Sequence, residues 1–183
     1  MSRIHQTDPA TVTGSLAEMF AAVKGEYGKV PNGLQVLATS EETLGGYMAF
    51  ASGVREGKLG AAEREQIAIA VAAYNGCRYC LSGHTLAARV EGVSEEDRVG
   101  AQRFEASEDR PAAVLAYTKA VLETRGGVAD EDLDSARAAG LTDGELIEII
   151  AEITINTFSN YLYRLSDPKL DFPAVEAVVD AAA

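Results

Sequence analysis

Apolar residues recur at three- and four-residue spacing along almost the whole chain, and no segment shows a convincing set of alternating strands bounded by turn pairs. This periodicity predicts an all-α protein. Helices are expected over about 14–27, 32–39, 41–56, 61–75, 78–91, 94–105, 110–125, 130–139, 142–165 and 173–182. One run is ambiguous. "IAIAVA" alternates large and small side chains, which is also how a strand reads. The preceding "AAEREQ" is built from strong helix formers and the apolar run continues to an Asn-Gly stop, so the segment is assigned to a helix.

The predicted breaks have local causes. Gly28 tolerates a left-handed cap, while Pro31 lacks a donor and restricts Val30 before it. Asn75-Gly76, Gly92, Gly126-Gly127 and Gly140 close later helices. New ones open at Ser94 and Thr142, each a hydroxyl cap followed three residues later by an acid, Asp97 or Glu145. The connections are short, so neighbouring helices should pack antiparallel, and residues 61–91 then form a central helix hairpin turning at Asn75-Gly76.

Two stretches resemble each other. "LGAAEREQIAIAVAAYNGCRYC" and "LTDGELIEIIAEITINTFSNYL" both read Leu, three residues, Glu, then an isoleucine-rich run ending in Asn, with Phe158 and Tyr161 standing about where Cys77 and Cys80 stand. An internal duplication accounts for this, and so does a chance likeness between two buried amphipathic helices.

Composition narrows the function. The 183 residues, 47% hydrophobic, fit a single domain over 1–183 that buries roughly two-thirds of its unfolded surface. A net charge of −12 repels a polyphosphate backbone, so no nucleic acid partner is expected. "MSRIHQTDPATVTG" lacks the apolar core of a signal peptide, and the run from Ile67 to Tyr74 is too short to cross a bilayer. A cytoplasmic protein without a membrane partner is expected. In a reducing compartment, a lone close pair of cysteines points to catalysis, redox chemistry or metal binding.

That pair lies in "YNGCRYCLSGH". On a helix Cys80 lies roughly 60° around the axis from Cys77 and His84 about 20° from it, so the three share a face. Cys77 follows the Asn-Gly break and falls at or beside the N-cap, where unpaired N–H groups and the helix dipole favour a thiolate. Glu65 lies about 15 Å back along its helix and His84 roughly 10 Å along the returning one, so the carboxylate can reach the imidazole. Thiol, base and a carboxylate behind the base make an activated nucleophile. Glu63, half a turn further off, is expected to be solvated, and Tyr79 to pack or to offer its hydroxyl to a neighbour. Zinc is the alternative, with Cys77, Cys80 and His84 as three ligands. A fourth is wanting, because His5 is remote and Glu65 suits a thiolate-rich site poorly, so neither metal nor cofactor is expected.

Glu65 and "IAIAVAAYNGCRYCLSGH" together resemble the signature of the carboxymuconolactone decarboxylase superfamily, specifically its alkyl hydroperoxidase AhpD-like branch. The likeness takes in the glutamate twelve residues before the first cysteine, the tyrosine before the second and the histidine four after it. "VPNGLQVLA", "AVLETRGGVADEDL", "AAGLTDGELIEIIAEITINTFSNYL" and "LDFP" are also similar to members of the family. The resemblance implies an all-helical fold assembled into trimers or hexamers, and a thiol peroxidase that reduces hydroperoxides. Cys80 would be the peroxidatic thiol, Cys77 would condense with its sulfenic acid, and Glu65 with His84 would relay protons, with Tyr79 in support. The reductant would be an external dithiol, either a lipoyl-bearing adaptor or a thioredoxin-like protein. The N-cap argument by itself favours Cys77 as the more acidic thiol, so the order of attack stays open. Two rival readings remain: cofactor-free decarboxylation or isomerisation of a small acidic lactone by His84 and Glu65, and a redox-sensing structural oligomer.

Overall fold

A computed structural model describes residues 2–181. Among these residues the regular elements are nine helices and no strand: α1 Gly14–Tyr27, α2 Asn32–Leu37, α3 Glu41–Arg55, α4 Ala61–Tyr74, α5 Arg78–Val90, α6 Glu95–Ala101, α7 Asp109–Thr124, α8 Asp130–Ala138 and α9 Asp143–Ser166. None is long and apolar enough to cross a membrane.

The strand-like alternation of residues 67–72 marks the centre of the molecule. From Ile67 to Ala73 no residue of α4 is more than 2% exposed. A helix enclosed on all sides needs no polar face, so its sequence loses the amphipathic period. It packs against α5, α6, α7 and α9. Ile69, Ala70 and Ala72 join Cys80, Leu81 and Leu115 in one cluster, while Ile67 and Val71 meet Val114, Ile149 and Ile153 in a second. A third, built on Phe20, Val23, Leu37 and Leu44, ties down the N-terminal helices.

The predicted turn at Asn75-Gly76 forms the hairpin. Gly76 takes φ 66°, where a Cβ would be strained, and the Cys77 N–H donates to the Ala72 carbonyl at 2.8 Å. The caps expected at Ser94 and Thr142 are also present. Ser94 Oγ accepts from Asp97 N–H at 3.0 Å, and Thr142 N–H donates to Glu145 Oε2 at 2.8 Å in a reciprocal capping box.

Two expectations are corrected. The helix expected over 94–105 stops at Ala101, because Phe104 turns left-handed at φ 62° and Glu105 N–H reaches back to the Gly100 carbonyl. The helix expected over 173–182 does not form in the described residues; position 182 lies outside them. Instead the tail crosses α5 as an irregular strap. Val175 N–H donates to Ser82 Oγ at 3.1 Å and Val178 N–H to Gln102 Oε1 at 2.9 Å. These side-chain acceptors replace the i−4 carbonyls a helix would supply, so tertiary contacts override the propensity of the alanine-rich end.

The resemblance between the two runs proves local, and a duplication is not shown. Glu63 and Glu145 both cap the starts of their helices, but α9 continues unbroken past Asn156 where α4 stops at Asn75. Phe158 and Tyr161 are exposed in mid-helix, whereas Cys77 and Cys80 are buried at a helix start.

Candidate active site

The α4–α5 hairpin brings Glu65, Cys77, Cys80 and His84 together. Cys77 is the N-cap of α5, with extended backbone, and its Sγ accepts from Cys80 N–H at 3.3 Å. The two cysteines are joined in a disulfide with their Cα atoms 5.4 Å apart. Both are nearly buried.

One turn beyond Cys80, His84 Nδ1 lies 2.8 Å from Glu65 Oε2, and both side chains are partly exposed. A carboxylate only accepts, so Nδ1–H donates and Nε2 of the neutral ring is left to take a proton. Burial pulls the His84 pKa down, but the charge and hydrogen bond of Glu65, with the charge of Glu152, raise it above the ordinary histidine value.

Glu152 escaped the sequence reading. It sits on α9, 8% exposed, close enough to the hairpin for Arg64, His84 and Glu65 to act on its charge. Its carboxyl is pushed up to about 7 by burial, against the lowering charges of Arg64 and His84. Arg64 Nε lies 3.7 Å from Glu152 Oε1. Its only sequence signal is that an acid interrupts the isoleucine-rich run of α9, which a surface role explains equally well.

Tyr79 offers its hydroxyl to neighbours. The O–H donates to Asp171 Oδ1 at 2.8 Å and accepts from Gly33 N–H at 2.9 Å, while its ring meets Tyr163 and Phe172 edge-on. It ties α5 to α2 and to the tail. The expectation that Glu63 is solvated fails: its side chain is 13% exposed and accepts from Arg110 Nε at 2.7 Å. Among the described residues, no group of three or more His, Cys, Asp and Glu side chains is arranged to hold a metal ion.

An all-helical hairpin fold with a CxxC at the start of its return helix defines a class of thiol-bearing helical proteins. The model of the Carboxymuconolactone decarboxylase family matches residues 41–123, which contain the whole hairpin. Over those residues the chain is similar to that family. An alkyl hydroperoxide reductase of Mycobacterium tuberculosis is 29% identical over 86 residues, 46% of this chain and 25% of its own length. The chain thus spans about a quarter of that curated relative.

Solved structures agree on the fold. An AhpD-core, peroxidase-related protein from Ralstonia eutropha JMP134 superposes with TM-score 0.79 at 22% identity, covering 93% of this chain and 92% of its own. A peroxidase-related protein from Silicibacter sp. TM1040 gives TM-score 0.76 at 20% identity, covering 92% of this chain and 94% of its own. The debrominase Bmp8, in complex with 2,3,4-tribromopyrrole, gives TM-score 0.78 at 19% identity, over 93% of this chain and 92% of its own.

Proposed function

We propose that this protein is a thiol peroxidase that reduces hydroperoxides through the Cys77–Cys80 pair. One observation carries the reading: the pair is a disulfide at the start of α5, with the His84–Glu65 couple one turn along the same helix. In the reduced protein the Cys80 thiolate attacks the terminal peroxide oxygen. The O–O bond breaks, the alcohol leaves with a proton supplied through His84, and Cys80 becomes a sulfenic acid. The Cys77 sulfur then attacks that sulfur, the S–O bond breaks, and the departing hydroxide takes the proton given up by the Cys77 thiol and leaves as water, closing the disulfide. An external dithiol resets the pair.

The reading treats residues 1–183 as one domain acting in the cytoplasm as a homo-oligomer. Self-association is supported by α9, where Ile147, Ile150, Phe158, Tyr161 and Leu165 stay exposed along one stripe.

The test is a count of free thiols. The reduced protein, given one equivalent of alkyl hydroperoxide, should lose both thiols per chain and form one equivalent of alcohol. Retention of both thiols would refute the proposal. Because one structural neighbour is a debrominase, the same count with a bromopyrrole in place of the peroxide separates the two oxidants.

A further inference from the structure

A cavity of about 450 Å³ opens beside the start of α5, and its wall includes Cys77, Arg78, Tyr163, Arg164, Asp167 and Lys169. Cys80, His84 and Glu65 are not part of that wall. The cavity therefore meets the disulfide from the Cys77 end, while the imidazole and its carboxylate lie further along the hairpin. Both cysteines are nearly buried, so a thiol that attacks the disulfide must enter an opening rather than lie on the surface.

The charge of this opening is opposite to that of the molecule. Three cations stand against one carboxylate in its wall, in a chain of net charge −12. Arg78, Arg164 and Lys169 are exposed, and among the described residues none of them forms an ion pair with an acidic side chain. A second opening beside it shares Lys169 and adds Arg3 and His5. Cations that have no acidic partner among the described residues, gathered around one mouth, focus a local positive potential within an acidic surface.

We infer that this cavity is the entry site of the reductant and that it selects a dithiol carrying an anionic group, a carboxylate above all. The inference rests on the redox cycle proposed above and adds the chemistry of the donor. The donor's first thiolate attacks Cys77 Sγ, the Cys77–Cys80 bond breaks, and Cys80 leaves as a thiolate beside the His84 couple. The donor's second thiolate then attacks its own sulfur in the mixed disulfide, releasing the Cys77 thiolate and a cyclic donor disulfide. Two electrons pass to the protein, and the protons of the two donor thiols end on the two cysteines.

Dihydrolipoate and dihydrolipoamide test this directly, because they present the same dithiol and differ in a carboxylate against a neutral amide. Rate constants for reducing the oxidised full-length protein are measured without peroxide, each normalised to the same donor's rate with a small disulfide. The protein's net charge alone predicts that dihydrolipoate is the slower donor. The cavity predicts that it is the faster, by about fivefold at low ionic strength, fading as salt is added. The triple substitution Arg78→Gln, Arg164→Gln, Lys169→Gln should bring the ratio to one or below, and Asp167→Asn, which removes the opposing charge, should raise it. Equal normalised rates, a ratio unmoved by these substitutions, or no reduction by either donor would overturn the inference. Failure of the reduced protein to consume hydroperoxide would instead refute the peroxidase reading and leave these donor rates standing.

Discussion

His84 Nδ1 and Glu65 Oε2 stand 2.8 Å apart across the α4–α5 hairpin, joined by a turn that a single left-handed glycine permits. The carboxylate both orients the ring and raises its pKa, so Glu65→Gln should lower the His84 pKa. Glu152→Gln should lower it less, because Glu65 adds a direct hydrogen bond to its charge. With two histidines in the chain, imidazole resonances assigned to His84 and followed by NMR against pH report this. An unmoved His84 titration in Glu65→Gln would mean that the carboxylate does not govern the imidazole. His84→Ala, which removes the proton carrier, should slow peroxide-driven thiol loss by about a hundredfold.

The two cysteines should separate by what each variant accumulates. Cys77→Ser leaves the attacking thiol without its partner, so a stoichiometric sulfenic acid at Cys80 should be trapped by dimedone and located by mass spectrometry. Cys80→Ser should form none and consume peroxide at the background rate. The reverse pattern would make Cys77 the attacking thiol, which is what its N-cap position alone favours.

Much of this arrangement was legible in the sequence, because it depends on local rules. Asn75-Gly76 marks the turn, and helical rise then brings Glu65 level with His84. Glu152 was not legible, since nothing in the sequence of α9 tells which of its acids faces the hairpin. Glu63 was misread because its partner, Arg110, comes from α7, 47 residues away. The tail was misread for a similar reason. Its acceptors, Ser82 and Gln102, are supplied by packing, and the residues 173–181 that use them have helix-forming composition. Propensity and periodicity see along a helix, and these contacts run between helices.

Gly33 should tolerate no side chain. A Cβ there would come within 2.7 Å of Tyr163 Cζ and 2.9 Å of Tyr79 Cε1, two rings packed edge-on at 5.1 Å and buried with the CxxC helix. Gly33→Ala is expected to destabilise the fold by about 1–3 kcal/mol, as overpacking of a filled site does. Thermal unfolding reads this as a fall of roughly 2–4 °C per kcal/mol. Gly46→Ala in α3 is the control. Its Cβ would meet nothing within 4 Å, and alanine favours the helix, so stability should rise by about 0.5–1 kcal/mol. Equal effects from the two substitutions would rule out the steric account.

Arg110 clasps the starts of α4 and α9, with Nε on Glu63 and an Nη on Glu145 at 2.6 Å. Each glutamate also caps its own helix. Because the Arg110 side chain is 41% exposed, Arg110→Ala should cost about 1–2 kcal/mol rather than the larger loss of a fully buried pair. The clasp also predicts an acid response. Hydrogen bonds from the Thr142 backbone and hydroxyl, followed by Arg110, lower the Glu145 pKa from 4.5 to about 2. A depressed carboxylate stabilises the fold fully above its unfolded value, so this contribution should be present at pH 7 and decline from about pH 4.5 towards pH 2. Urea unfolding at a series of pH values measures it. Glu145→Gln should be less stable than the wild type at pH 7 by on the order of 2 kcal/mol, and the gap should close as the pH falls through that window. A gap that stays constant down to pH 2 would mean that the ionised carboxylate contributes nothing beyond its hydrogen-bonding shape.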